Sequence, residues 1–185
     1  MTITFDTDAP ERTQVLPVTA ARSRDLYFAL STDPAGCSGA ALDYLRAQLD
    51  AARALPADLP ERLDQLDGWI RERTVAVGES YREYLAARKA GSARRYFANK
   101  SQALYFLQGV APTKLVDGAW LYSTLRNWDN PDYHDLIRTY LEELGDGVPD
   151  KNHVTLYRKL LAAHGCEDWR HLDDHHFVQG AIQLA

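Results

Sequence analysis

Glu142-Glu143-Leu144-Gly145-Asp146-Gly147-Val148-Pro149-Asp150-Lys151-Asn152-His153 decides the reading of this chain, because it sets a carboxylate and an imidazole either side of a helix break. Before it, residues 131–144 place Tyr133, Leu136, Ile137, Tyr140, Leu141 and Leu144 at spacings of three and four, the pattern of an amphipathic helix with one buried stripe. Glu143 falls three residues past Tyr140 and shares that stripe, whereas Glu142 lines up with Asp135, Arg138 and Thr139. Glu143 is therefore expected inward and Glu142 outward. After the break, residues 150–164 read as a second helix with Val154, Tyr157, Leu160 and Leu161 apolar. His153 heads the line His153, Tyr157, Leu160, His164, which places it inward too.

In one straight helix the ten residues between Glu143 and His153 would span about 15 Å, too far to serve one site. Gly145 and Gly147 can take the left-handed conformations that end a helix, and Pro149 suits the start of the next, so the chain can fold back. A carboxylate and a neutral imidazole converging inside a helical bundle are ligand types preferred by non-haem iron, manganese and zinc. A hydrogen-bonded Glu–His pair with a purely structural role fits the spacing equally well.

The Glu-Leu-Gly-x-Gly, five residues, His-x-x-Leu-Tyr pattern resembles the second core helix of the haem-oxygenase-like di-iron oxidases, the iron-containing redox enzymes. The upstream Ala-Pro-Thr-Lys-Leu-Val-Asp-Gly-Ala-Trp-Leu at 111–121 and the downstream His-Phe-Val-Gln-Gly-Ala-Ile-Gln at 176–183 carry the likeness further, over residues 92–185. The resemblance implies an all-α, antiparallel helical bundle of the haem-oxygenase-like kind, with six to seven helices. It also implies metal ligands: Glu143 and His153 match the second group of the family's set, and Asp117, one methylene shorter than the family's Glu, matches the first. The third group, a His-x-x-x-Asp-x-x-His helix, is expected beyond Ala185, so the chain reads as the N-terminal part of such a domain. His164, Asp168 and His171 share that spacing, but Gly165 looks like a helix terminator and 166–173 like a loop, so these three are not expected on one face.

Outward from this centre, residues 1–35 show no helical period longer than a turn and read as an irregular N-terminal arm, with a helical domain over 36–185. Ser38 caps a helix marked by Leu42, Leu45 and Leu49. Asp58 and Glu61 form a capping-box pattern ahead of a long helix bearing Leu63, Leu66, Ile70, Val77, Tyr81 and Tyr84 or Leu85. Gly91 ends that helix, and Ser92 starts another whose Tyr96, Phe97, Leu104 and Leu107 face the core. Gly109 to Pro112 then turns the chain into a helix carrying Asp117. Asp173 or Asp174 caps a last helix with Phe177, Ala181 and Ile182.

The net charge of −5 gives no basic footprint for nucleic acid, and no apolar run approaches the roughly 20 residues of a membrane span. Neither partner is expected. Two cysteines and the lack of a basic-then-apolar leader fit a reducing cytoplasm. The resemblance implies a non-haem iron-dependent oxidase or oxygenase, di-iron in its complete form, using Fe2+ and O2 on a small-molecule substrate, with a second copy in a homodimer able to complete the ligand set. The alternative is a non-catalytic helical interaction module that keeps the scaffold with an incomplete site.

Overall fold

The computed structural model describes residues 23–185, and every regular element among them is helical. The eight α-helices are α1 (Ser23–Thr32), α2 (Ser38–Arg53), α3 (Leu66–Lys89), α4 (Lys100–Gly109), α5 (Ala111–Lys114), α6 (His134–Glu143), α7 (His153–His164) and α8 (Val178–Leu184). Short 3₁₀ segments join several of them, the longest being Ala119–Asn127. The all-α expectation holds, with one or two more helices than the sequence suggested because α1 forms inside the stretch expected to be irregular.

The irregular arm expected over 1–35 needs correction at its end, since α1 occupies Ser23–Thr32; the rest of that expectation, residues 1–22, lies outside the described residues. The first-turn backbone N–H of Arg24 donates to Asp174 Oδ1 at 2.8 Å. Ser23 Oγ and the Tyr44 hydroxyl share a hydrogen bond of 2.9 Å. A helix held by groups from 21 and 150 residues away leaves little local signal. Tyr27 and Leu30 are nonetheless on its buried face, and Tyr27 meets Phe177 and Ala181.

Two clusters form the core. In one, Tyr27, Tyr44, Phe177 and Ala181 gather with Phe28, Val116 and Ile182 around them. In the other, Ala111, Leu161 and Cys166 pack with Leu104, Leu107, Leu115 and Tyr157. Trp169 touches both, its ring 6.1 Å from Phe28 in a stacked arrangement and 6.2 Å from Tyr27 edge-on. Gly180 is obligatory there, because a Cβ on it would lie 2.6 Å from the Pro112 carbonyl oxygen and 2.8 Å from the Tyr27 ring.

Several expected faces are corrected. On α2 the buried line is Ala41 and Tyr44, one position from Leu42 and Leu49, which stay exposed, because the Ser23–Tyr44 hydrogen bond fixes the rotation of the helix. The stripe on α3 is uncovered: no residue of this helix is buried, and Ile70, Val77 and Tyr81 are exposed. The helix expected from Ser92 starts only at Lys100, with the Asn99 side chain accepting from the Gln102 N–H, and Tyr96 and Phe97 lie exposed ahead of it. Asp58, expected as a cap, instead pairs with Arg73 at 2.5 Å.

Candidate metal centre

The chain delivers three ligand-type side chains to one point by three devices. Glu143 is the last residue of α6, which packs against the 3₁₀ segment Ala119–Asn127. Its partly buried line is Tyr133, Ile137, Tyr140 and Glu143, whereas Leu136, Leu141 and Leu144 of the expected stripe are exposed, and no residue of α6 is fully buried. The side chain of Glu143 is 23% exposed and that of Glu142 59%, so the inward and outward assignments hold.

The second device is the break. Gly145 adopts φ +81°, Asp146 +52° and Gly147 +78°. A Cβ on Gly145 would come within 2.5 Å of the Asn152 backbone nitrogen, which shows how tightly the chain returns on itself. Pro149–Lys151 makes a 3₁₀ turn, and Asn152 caps α7 by accepting from the Thr155 N–H at 2.9 Å. His153 is thus the first residue of α7, and its Nδ1 lies 2.5 Å from Glu143 Oε2. The fold-back predicted from the glycines is real. The imidazole is less buried than expected, with 48% of the side chain exposed, because the first residue of a helix has only half a turn of neighbours.

The third device is Gly118. The helix expected around Asp117 does not exist: α5 stops at Lys114, and Gly118 turns left-handed at φ +81° before the 3₁₀ segment begins. Asp117 therefore sits in a turn. The Asp-Gly dipeptide was the signal for it. A Cβ at residue 118 would meet Glu143 Cβ at 3.0 Å and Cγ at 3.2 Å, so the absence of a side chain there lets the Asp117 turn lie directly on the end of α6. Ligand atoms of Asp117, Glu143 and His153 fall within 4.8 Å of one another, the one such group of three or more found among the described residues.

The residues present fit a hard transition-metal ion. Glu143 Oε2 is buried and makes no well-formed hydrogen bond, despite its closeness to His153 Nδ1. At that separation the two atoms need a proton or a cation between them. Two ligands about 2.1 Å from one ion in cis positions sit roughly 3 Å apart, so small side-chain motions suffice. Two carboxylates and one imidazole form an oxygen-rich donor set suited to iron or manganese.

Lys114 was not anticipated. Its Nζ lies 2.8 Å from Asp117 Oδ2, one short helical turn earlier in the chain, a spacing readable as an i, i+3 pair. Lys114, Asp117 and His153 line a cavity of about 250 Å³ together with Leu156, Tyr157 and Leu160. The Tyr157 hydroxyl, a candidate neighbour of the site, donates instead to the Leu107 carbonyl at 2.5 Å, and burial, followed by the charge of Cys166, pushes its pKa up to about 12. Tyr140 packs edge-on against Tyr122 at 6.4 Å. Both tyrosines serve packing. His164 ends α7 and is followed by Gly165 at φ +64°, while Asp168 and His171 lie in a separate 3₁₀ segment, so their shared spacing does not assemble a site.

No helix among the described residues is long and apolar enough to cross a membrane. Residues 104–183 match the family of iron-containing redox enzymes, the family whose motifs the sequence resembles, and the matched segment holds Asp117, Glu143 and His153. No curated protein and no solved structure matches the chain.

Proposed function

We propose that this relative of the iron-containing redox enzymes is a non-haem, iron-dependent oxidase or oxygenase acting on a small molecule, or the N-terminal part of one, with Asp117, Glu143 and His153 as its iron ligands. The observation that carries the reading is the buried, unsatisfied Glu143 Oε2 facing His153 Nδ1 inside a three-ligand group. Iron bound there would supply the redox chemistry by which O2 oxidises the substrate.

The chain's own residues do the rest. The glycine break holds His153 against Glu143, and Gly118 admits Asp117, so most of the ordering cost of the site is met by folding. Lys114 donates to Asp117 Oδ2 and offsets part of the carboxylate's charge, which leaves Oδ1 as the oxygen that would face an ion. His153 would hold the ion through an unprotonated ring nitrogen. The cavity beside Asp117 and His153 lies below the usual 300–1,000 Å³ of ligand pockets, which suits a small substrate or one part of it. Leu156 and Leu160 make its wall apolar.

Three protein ligands leave the remaining coordination positions to water, so binding by this chain is weak, and a second iron requires ligands beyond these three. A further helix or a second copy of the chain is the source of them. Single-turnover O2 consumption by the Fe(II)-loaded chain tests the proposal. Oxidation of the bound iron at a rate that Glu143→Ala and His153→Ala abolish supports it, and equal rates in native and variant chains refute it.

A further inference from the structure

A partly open cavity of about 440 Å³ lies between α1, α7 and the Trp169 loop. Tyr27, Phe28, Leu115, Arg158, Trp169 and Arg170 line it. Tyr27, only 3% exposed as a residue, stands on its wall. Arg158 and Arg170 are the cavity's two cations, and neither has a carboxylate within ion-pair distance among the described residues. Arg170 is held by its neighbours: its guanidinium lies 5.6 Å from the Phe28 ring centre and 5.1 Å from that of Trp169.

The chemistry of this lining is one-sided. Guanidinium groups and a phenol present donors, Arg having no acceptor at all. The Ser31 and Thr32 hydroxyls, on the same wall, already donate to the Tyr27 and Phe28 carbonyls at 2.7 and 2.9 Å. An oxygen-rich anion complements such donors, and the remaining walls are aromatic and aliphatic. We propose that this cavity is a second ligand site that takes a small oxyanion, a carboxylate or phosphate monoester, carried on an apolar or aromatic body, with Arg158, Arg170 and Tyr27 binding the anion and Phe28, Trp169 and Leu115 holding the body.

The site shares no residue with Asp117, Glu143 and His153, so it stands independently of the iron reading. Burial pushes the Tyr27 pKa up to about 12 even though both arginines act to lower it, so the phenol is a donor at every physiological pH. The Arg170 stack pre-sets the planar fork for a two-point contact with a carboxylate or phosphate.

Isothermal titration of the full chain with phenyl phosphate, benzoate, inorganic phosphate and uncharged phenol is the test. One or both of phenyl phosphate and benzoate should bind at least tenfold more tightly than phenol and inorganic phosphate, and which of the two binds better identifies the anion. Tyr27→Phe keeps the ring and its packing, and Arg158→Ala truncates an exposed side chain, so both should unfold at the native temperature; each should weaken the better probe about tenfold. Failure of both aryl anions to bind, or equal binding to the native chain and the two folded variants, overturns the proposal.

Discussion

Gly118 lies where any side chain would strike Glu143: a Cβ there comes to 3.0 Å from Glu143 Cβ, and the residue sits at φ +81°. This contact joins the turn that carries Asp117 to the end of the helix that carries Glu143. Gly118→Ala should therefore cost about 1–3 kcal/mol through backbone strain and the clash. It should also separate Asp117 from Glu143, so that iron affinity falls further than the drop in stability alone explains. Thermal unfolding together with metal titration checks both.

Removal of Lys114 should have the opposite effect on metal. Its Nζ, 2.8 Å from Asp117 Oδ2, sets a positive charge beside the carboxylate that an incoming cation would use. As a pair with a half-exposed lysine, it contributes at most about 1 kcal/mol to the fold. Lys114→Met should leave the unfolding temperature nearly unchanged and tighten Fe(II) or Co(II) binding several-fold, measured by competition with a chelating dye.

Asp174→Ala removes the acceptor for the Arg24 N–H. Loss of this distant cap should cost about 1 kcal/mol, with faster amide exchange concentrated in Ser23–Thr32 and the α6–α7 break unaffected. Hydrogen exchange followed by mass spectrometry resolves the two regions.

Alkaline stability follows from Tyr27 and Tyr157, whose pKa values burial pushes up to about 12 in the folded chain against about 10 unfolded. A raised pKa means that folding favours the protonated phenol. The associated stability is full below pH 10 and is lost as pH climbs from 10 to 12. Denaturation midpoints should fall over that window. Tyr27→Phe should flatten the fall, and absorbance titration should show these two phenols, together with Tyr44, whose pKa burial also raises, ionising after the bulk of the tyrosines.

How much of this was legible in the sequence depends on the range of the forces involved. The Glu143–His153 encounter was readable because the glycines, the proline and both helix faces are local. Gly165 as a terminator was readable for the same reason. Asp117 came from family resemblance, and the helix drawn around it was wrong because Gly118 serves a contact 25 residues away in the chain. Helix α1 was invisible because Asp174 and Tyr44 complete it from a distance. The exposed stripe of α3 shows the converse limit: periodicity reports that a face is apolar, not whether anything in this chain covers it.

The central claim is that Asp117, Glu143 and His153 hold iron together. Anaerobic Fe(II) titration followed by metal analysis, on the native chain and on Asp117→Ala, Glu143→Ala and His153→Ala with matched unfolding temperatures, tests it most directly. The account predicts one weakly held iron per native chain, lost at least tenfold in affinity in each of the three variants. Undiminished iron in the Glu143→Ala and His153→Ala chains would contradict it.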